Sequence, residues 1–310
     1  MLSVVVPCYN EEEMIKIFYN AVENVEFPLE KEYIFIDDGS YDNTLRELRS
    51  LSLKTNNVKY LSFSRNFGKE AALFAGLKES IGDYVVVMDV DLQDPPELLT
   101  DMYSYIVKEE YDCVGTRRTT RNGEPAIRTF FAKSFYKVMS MISETEIVDG
   151  ARDYRMMSRQ MVNSILEVTE YNRFSKGIFS WVGYKTKYLE YENLERAAGN
   201  TTWSFWSLLK YSVDGIIAFS DAPLSIASFV GLFSFIISIL LSIIIAIRTI
   251  VFDNPTPGWT SIMVIVLALG GLQLLCLGIL GKYVSKTFME TKRRPLYFIK
   301  EKNDKTTINE

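Results

Sequence analysis

Histidine is absent from all 310 residues. Without an imidazole, a Ser-His nucleophile pair, a His-bound zinc and an imidazole base are all excluded. Chemistry is left to carboxylates, Lys, Arg, Tyr or a bound metal. Cysteine is scarce, and Cys8, Cys113 and Cys276 lie far apart in apolar runs. An odd, dispersed set reads as reduced, packed thiols, with no disulfide framework. The N-terminus lacks the basic start and the long apolar run of a signal peptide, and Leu2–Pro7 reads as a strand. Nucleic-acid-binding motifs are missing too, and a net charge of −5 argues against a polyanionic partner.

What is present is unevenly distributed. Residues 1–112 hold 22 acidic against 10 basic groups, and residues 115–196 hold 14 basic against 10 acidic. An acidic front suited to a cation is followed by a basic stretch suited to anions, although a patchy surface has the same composition. Two long runs lack charge, Leu224–Ile247 and Trp259–Gly281. As helices each would be roughly 35 Å long, enough for a hydrocarbon core of about 30 Å.

In chain order, strands are expected at Leu2–Pro7, Tyr33–Ile36, Val58–Ser62 and Tyr84–Met88, alternating with helices to Val25, around Leu45–Leu51 and at Lys69–Ser80. Such alternation implies a parallel sheet covered on both faces, with every sheet strand inside residues 1–200. Three strand ends carry polar groups: Tyr9 with Glu11, Asp37 with Asp38, and Asp89 with Asp91. On adjacent strands these would form one acidic rim at the C-terminal edge, where open α/β sheets place ligands. Asp89, Asp91 and Gln93, spaced i, i+2, i+4, are hard oxygen donors of the kind that hold Mg²⁺ or Mn²⁺ together with substrate phosphates. A solvated acidic turn has the same pattern, and for Asp37-Asp38 a turn or cap is as good a reading as a ligand contact.

The succession Val-Val-Pro-Cys-Tyr-Asn-Glu-Glu, Asp-Asp-Gly-Ser-Tyr-Asp-Asn-Thr and Asp-Val-Asp-Leu-Gln-Asp-Pro-Pro-Glu resembles family 2 glycosyltransferases. Ser64-Arg65-Asn66-Phe67-Gly68-Lys69-Glu70 and the Leu-Gln-Asp-Pro-Pro extension resemble its polyprenyl-phosphate branch, the bactoprenol glucosyltransferases and dolichol-phosphate mannose synthases. That resemblance implies a nucleotide-diphosphate-sugar (GT-A, Rossmann-like) α/β domain over residues 1–200. A juxtamembrane amphipathic helix (201–223), two transmembrane helices (224–281) and a basic cytoplasmic tail (282–310) would follow. It implies donor contacts at Pro7, Tyr9, Glu11, Ile36, Asp38, Asp89, Val90, Asp91, Gln93, Arg117 and Arg196, with Asp89, Asp91 and Gln93 on the metal. Acceptor-phosphate contacts would fall on Arg128, Ser134, Arg155 and Arg173.

The implied reaction is inverting transfer of a hexose from a nucleotide-sugar, UDP-glucose foremost, to undecaprenyl phosphate. Asp91 and Asp153 would be the catalytic carboxylates. Asp153 is read as a base or as an orienter of Arg155, because a phosphate monoester with a second pKa of about 6 needs little deprotonation near pH 7. Thr201–Phe219 reads as an interfacial helix, or else as one packed on the core. Lys282, Lys286, Lys292, Arg293 and Arg294 after the second run place the tail, and the catalytic domain with it, in the cytoplasm of a bacterial cell. The stretch from Lys300 is expected to fray. Expected partners are the sugar donor, the lipid acceptor, the membrane, a second copy of the chain, a flippase and a downstream glycosyltransferase, with no nucleic acid. A Gln-x-x-Arg-Trp motif, the mark of processive polysaccharide synthases, is absent.

Overall fold

A computed structural model describes residues 1–118, 148, 150–191, 216–217, 220–252 and 258–303. The juxtamembrane expectation for Thr201–Phe219 therefore lies almost wholly outside the described residues, as do Arg128, Ser134 and Arg196.

The first half is a strand–helix alternation: β1 (Leu2–Cys8), α1 (Met14–Glu23), β2 (Lys31–Asp37), α2 (Thr44–Lys54), β3 (Val58–Phe63), α3 (Lys69–Glu79), β4 (Tyr84–Val87) and α4 (Leu98–Glu109). Then come β5 (Cys113–Arg118), β6 (Ala151–Ser158), α5 (Arg159–Glu167), α6 (Ser175–Trp181), β7 (Thr186–Tyr191), α7 (Ala222–Phe252), α8 (Trp259–Thr291) and β8 (Ile299–Lys302). Among the described residues eight strands join one sheet, in the order β7-β5-β6-β4-β1-β2-β3-β8.

Sheet faces follow the two-residue period of a strand. Val4, Val6, Tyr33 and Phe35 point to the face that packs Met14 and Phe18 of α1, Leu48 of α2 and Leu99 of α4. Val5, Ile34 and Ile36 point to the other, against Leu73 and Leu77 of α3, Met161 of α5 and Phe179 of α6. Because β1, β2 and β4 are buried on both sides, they read as unbroken apolar runs. Glycine lets α3 approach closely: a Cβ on Gly76 would stand 2.3 Å from Val5 Cγ1.

Two expectations need correction. The sheet is mixed: it is parallel across β4-β1-β2-β3 and again between β5 and β7, but β6 pairs antiparallel with β4 and β5. Nor do all strands lie in residues 1–200, since Ile299–Lys302 pairs antiparallel with the edge of β3 and does not fray. The physical reason is a set of long-range partners. Glu301 pairs with Arg49 and accepts from Tyr60 Oη at 2.6 Å, and Asn303 Oδ1 accepts from Tyr60 N at 2.6 Å. Tyr297 stacks on Phe63 with centroids 4.8 Å apart.

Helices α7 and α8 are long and apolar enough to cross a membrane. Along α7, Phe229, Phe233 and Leu240 are exposed, with no protein over them among the described residues. α8 outruns its apolar stretch, so Lys282–Thr291 continues the helix. Its far end is fixed to the sheet domain: Glu290 accepts from Tyr171 N at 2.9 Å, and Lys286 Nζ donates to Asn172 Oδ1 at 3.1 Å.

Candidate functional site

The sheet order places β4, β1 and β2 side by side, so the three polar strand ends form one rim. Pro7 stands in register with Ile36, and Cys8 with Asp37. The loops beyond β1 and β2 lock together. Asn10 N donates to Ser40 Oγ at 2.9 Å, Tyr41 N to Asn10 Oδ1 at 2.9 Å, and Glu11 N to Thr44 Oγ1 at 2.8 Å. Tyr9 meets Tyr41 edge to face at 6.4 Å.

Asp37 and Asp38 divide the work of this turn. Asp37 is structural, accepting from Ser62 Oγ at 2.7 Å and Ser40 N at 3.0 Å. Asp38 accepts from Phe67 N at 2.6 Å and Gly68 N at 2.9 Å, which hangs the 64–68 loop over the rim. Burial pushes the Asp38 carboxyl up to about 6, against the pull of those two amides. Gly39, at φ +69°, makes the turn possible; a Cβ there would lie 2.4 Å from the Arg65 carbonyl carbon. The rim's negative field reaches Cys8, whose thiol is raised by burial and then by Glu11, Asp37 and Asp89.

At the end of β4, Val90 is buried in the core and Asp91 is nearly so, while Asp89 is half-buried. Lys69 Nζ, from the first turn of α3, lies 2.6 Å from Asp89 Oδ1 and 2.5 Å from Asp153 Oδ2. Burial opposes the ammonium, yet Asp153 and Asp89 together hold its pKa above the usual lysine range. Asp153 is the mirror case. Burial pushes it up, but Lys69, Lys176 and Arg155 hold it well below the usual carboxylate range. Beside this pair, Arg152 Nε bonds Asp94 Oδ1 at 3.1 Å, and its Nη2 lies 3.4 Å from Gln93 Oε1. Tyr191 Oη also bonds Asp94.

These residues fit a hard dication in a specific sense. Among the described residues no three acidic groups converge on one point, so no all-protein cage exists. Asp89, Asp91 and Gln93 are nonetheless a hard-oxygen set of the size that Mg²⁺ or Mn²⁺ uses when substrate phosphates supply the rest. Lys69 pairs with Asp89 and Arg152 faces Gln93 Oε1, so a metal there would share these oxygens with two protein cations.

The basic residues are more scattered. Arg117 is exposed and 3.4 Å from Glu190. Arg155, 2% exposed, lies over the Phe179 ring at 4.0 Å and donates to the Arg152 carbonyl at 2.9 Å. Arg173 is buried over Phe74 at 4.5 Å. Lys69, Arg152 and Asp94 carry no role in the sequence reading, although Lys69 stands inside the motif that follows β3. A basic residue opening a helix beside Gly68, at φ +97°, is the one local sign of it.

A profile described as "Glycosyl transferase family 2" matches residues 3–166. A bactoprenol glucosyl transferase of Shigella phage SfX is 43% identical over 97% of this chain and 99% of its own length. The prophage bactoprenol glucosyl transferase homolog of Escherichia coli is 41% identical over 96% of this chain and 98% of its own. A glycosyltransferase of Synechocystis is 38% identical, over 97% of this chain and 95% of its own. A GT-A-like sheet with an acidic rim, a family profile over more than half of the chain and relatives matched along nearly their whole length lead to one assignment: the chain belongs to glycosyl transferase family 2 and is a glycosyltransferase.

Proposed function

We propose that this enzyme transfers a hexose, glucose from UDP-glucose in the first instance, to the phosphate of a polyprenyl lipid such as undecaprenyl phosphate. The observation that carries this reading is an acidic rim, at which Lys69 bridges Asp89 and Asp153, in the same chain as two span-length helices. Relatives named for bactoprenol support the acceptor class.

In this reading an acceptor phosphate oxygen attacks the anomeric carbon as the bond from that carbon to the diphosphate oxygen breaks, and UDP leaves with inversion. Tyr9, Glu11 and Asp38, with Pro7 and Ile36 beneath them, form the base and ribose end; Asp89, Val90 and Asp91 meet the ribose and diphosphate. Asp89, Asp91 and Gln93 would hold Mg²⁺ or Mn²⁺, which supplies charge neutralisation of the departing diphosphate. Arg117 and Arg196 assist on the donor side, and Arg128, Ser134, Arg155 and Arg173 on the acceptor side. Asp153, held ionised by Lys69, is a weak proton acceptor, which favours orienting that cation over acting as a base. The sheet domain, the tail and both termini face the cytoplasm, following the basic residues beyond α8. A second copy of the chain, a flippase and a later transferase that consumes the lipid-linked sugar in the cell envelope complete the proposal.

The test offers purified full-length protein a panel of nucleotide-sugars with undecaprenyl phosphate and weighs the lipid product by mass spectrometry. One hexose added from UDP-glucose, lost in EDTA and cut roughly 10³-fold by Asp91→Asn, about 4 kcal/mol at the transition state, is the expected result. Product formed from every donor alike, or at full rate in EDTA, would refute the donor or the metal assignment respectively.

A further inference from the structure

Away from the rim, a cavity of about 270 Å³ lies between the start of α3, the 171–174 loop and the end of α8. A second space of about 350 Å³ shares Arg65, Phe67 and Tyr171 with it and extends to Arg294, Pro295 and Phe298. Three cations line the first, Arg65, Arg173 and Lys286, and Arg294 lines the second. Of the carboxylates nearby, Glu70 accepts from Ser175 N at 2.9 Å and Glu290 from Tyr171 N at 2.9 Å and Asn172 N at 3.0 Å, while Glu170 lies beside Arg173 and Glu290. Arg173 is only 8% exposed; its Nη1 donates to the Val168 carbonyl, and its buried Nε has no hydrogen-bond acceptor among the described residues. With Arg65, Lys286 and Arg294 beside Arg173, the two spaces carry a positive lining, and an anionic oxygen entering them is the group that charge-assisted hydrogen bonds would hold.

Position along α8 says where such an anion would come from. The apolar run of α8 ends at Gly281, and Lys286 follows five residues later on the same helix. At 1.5 Å per residue that is about 7.5 Å beyond the hydrocarbon edge, close to the roughly 5–7 Å depth of a headgroup layer. Phe67, Leu296 and Phe298 give the lining an apolar side next to the cations. The geometry points to a lipid-phosphate site: the cavity binds the phosphate of a membrane lipid at headgroup level, between the catalytic domain and α8.

Such a site is wired to the rim by two pairs of chain neighbours. Glu70 lines the cavity while Lys69 bridges Asp89 and Asp153. Ser175 bonds Glu70, while Lys176 donates to the Ala151 carbonyl at 3.1 Å, on the strand that carries Asp153. The inference rests on the membrane placement of α8 and is independent of which sugar is transferred.

The test uses intact, detergent-solubilised protein and native mass spectrometry, with no sugar-transfer readout, so its failure is separate from failure of the transferase assignment. Phosphatidylglycerol and diacylglycerol with the same acyl chains are the probes, since they differ in the phosphate-bearing headgroup. Wild type should retain phosphatidylglycerol at least tenfold more strongly. The Arg65→Ala/Lys286→Ala double variant should lose that preference, and Lys286→Arg should keep it. Geranylgeranyl phosphate is then added as competitor. Displacement assigns the site to the prenyl-phosphate acceptor, whereas retention of phosphatidylglycerol assigns it to the bulk phospholipid. Equal retention of the two probes by wild type overturns the proposal without reference to any variant. So does an unchanged preference in the double variant.

Discussion

Replacing Lys69 by Met removes the cation between two carboxylates while keeping most of the side-chain volume. At 2.5–2.6 Å and an effective dielectric near 20, each Lys69 contact is worth about 6 kcal/mol of gross attraction, most of it offset by desolvation. The net loss is better taken from broken ion pairs. A third of Lys69 and less of its partners is exposed, which places the cost near 3 kcal/mol, the low end for a buried pair. For a domain of this size that is roughly 6–12 °C in melting temperature. The pH dependence has a defined sign. Asp153 is depressed in the folded enzyme, so its contribution is present above the unfolded carboxylate value near 4 and fades only in strong acid. In Lys69→Met the largest cause of that depression is gone while burial, Lys176 and Arg155 remain, so Asp153 takes up a proton at higher pH than it does in the wild type. The gap between wild type and variant should therefore be widest near pH 8 and narrow toward pH 5. Lys69→Arg, which keeps the charge, should recover most of the loss. Melting of both proteins at one scan rate, in one detergent, across pH 5–8 is the assay. Indistinguishable curves for wild type and Lys69→Met would refute the bridging role.

Three further outcomes follow from the same rim and its supports. Asp38, pushed up to about 6 by burial, should lose its charge as pH drops below 6 and loosen the 64–68 loop; UDP affinity, measured by calorimetry, should then fall through a limb near 6 that Asp38→Asn lacks. Gly39→Ala forces a Cβ to 2.4 Å from backbone at φ +69°, which should cost about 1–3 kcal/mol and be visible as a lower melting temperature and weaker UDP binding. Ending the chain after Arg294 removes β8 and the Arg49–Glu301 pair, exposing the β3 edge; size-exclusion chromatography should show more aggregate than wild type, and an unchanged profile would count against β8 as a protective edge.

What could be read from the sequence is what local pattern controls. Unbroken apolar runs identify β1, β2 and β4, and the polar residues directly after them form the rim because neighbouring parallel strands end on the same edge. Strand β6 defeats that logic. Arg152, Asp153 and Arg155 give it the look of a solvated basic stretch, yet Arg155 is 2% exposed and its charge is accommodated by the Phe179 ring and a carbonyl. Lys69 is hidden for another reason: its contact with Asp153 spans 84 positions and exists only once α3 and β6 pack on the same sheet. Strand β8 is four residues of mixed polarity, and its pairing comes from partners in α2 and β3 that no local window includes.

That last contact changes how the apolar hairpin should be regarded. A transferase anchored by one flexible linker would sample many heights and tilts above a bilayer, and its rim would seldom meet a phosphate held at headgroup level. Here the far end of α8 is bonded to the 171–172 loop, and the chain then returns to pair with β3. The two attachments lie close together, since Tyr171 and Phe298 line one cavity, but they use different elements: β8 extends the sheet at β3, while residues 171–172 precede α6. Two attachments through different elements restrain the orientation more than one would. Holding reactants in a fixed geometry is worth several kcal/mol to a reaction between a soluble donor and an embedded acceptor. The polar tail is therefore part of the apparatus that aims the acidic rim, even though its composition resembles that of a dispensable end.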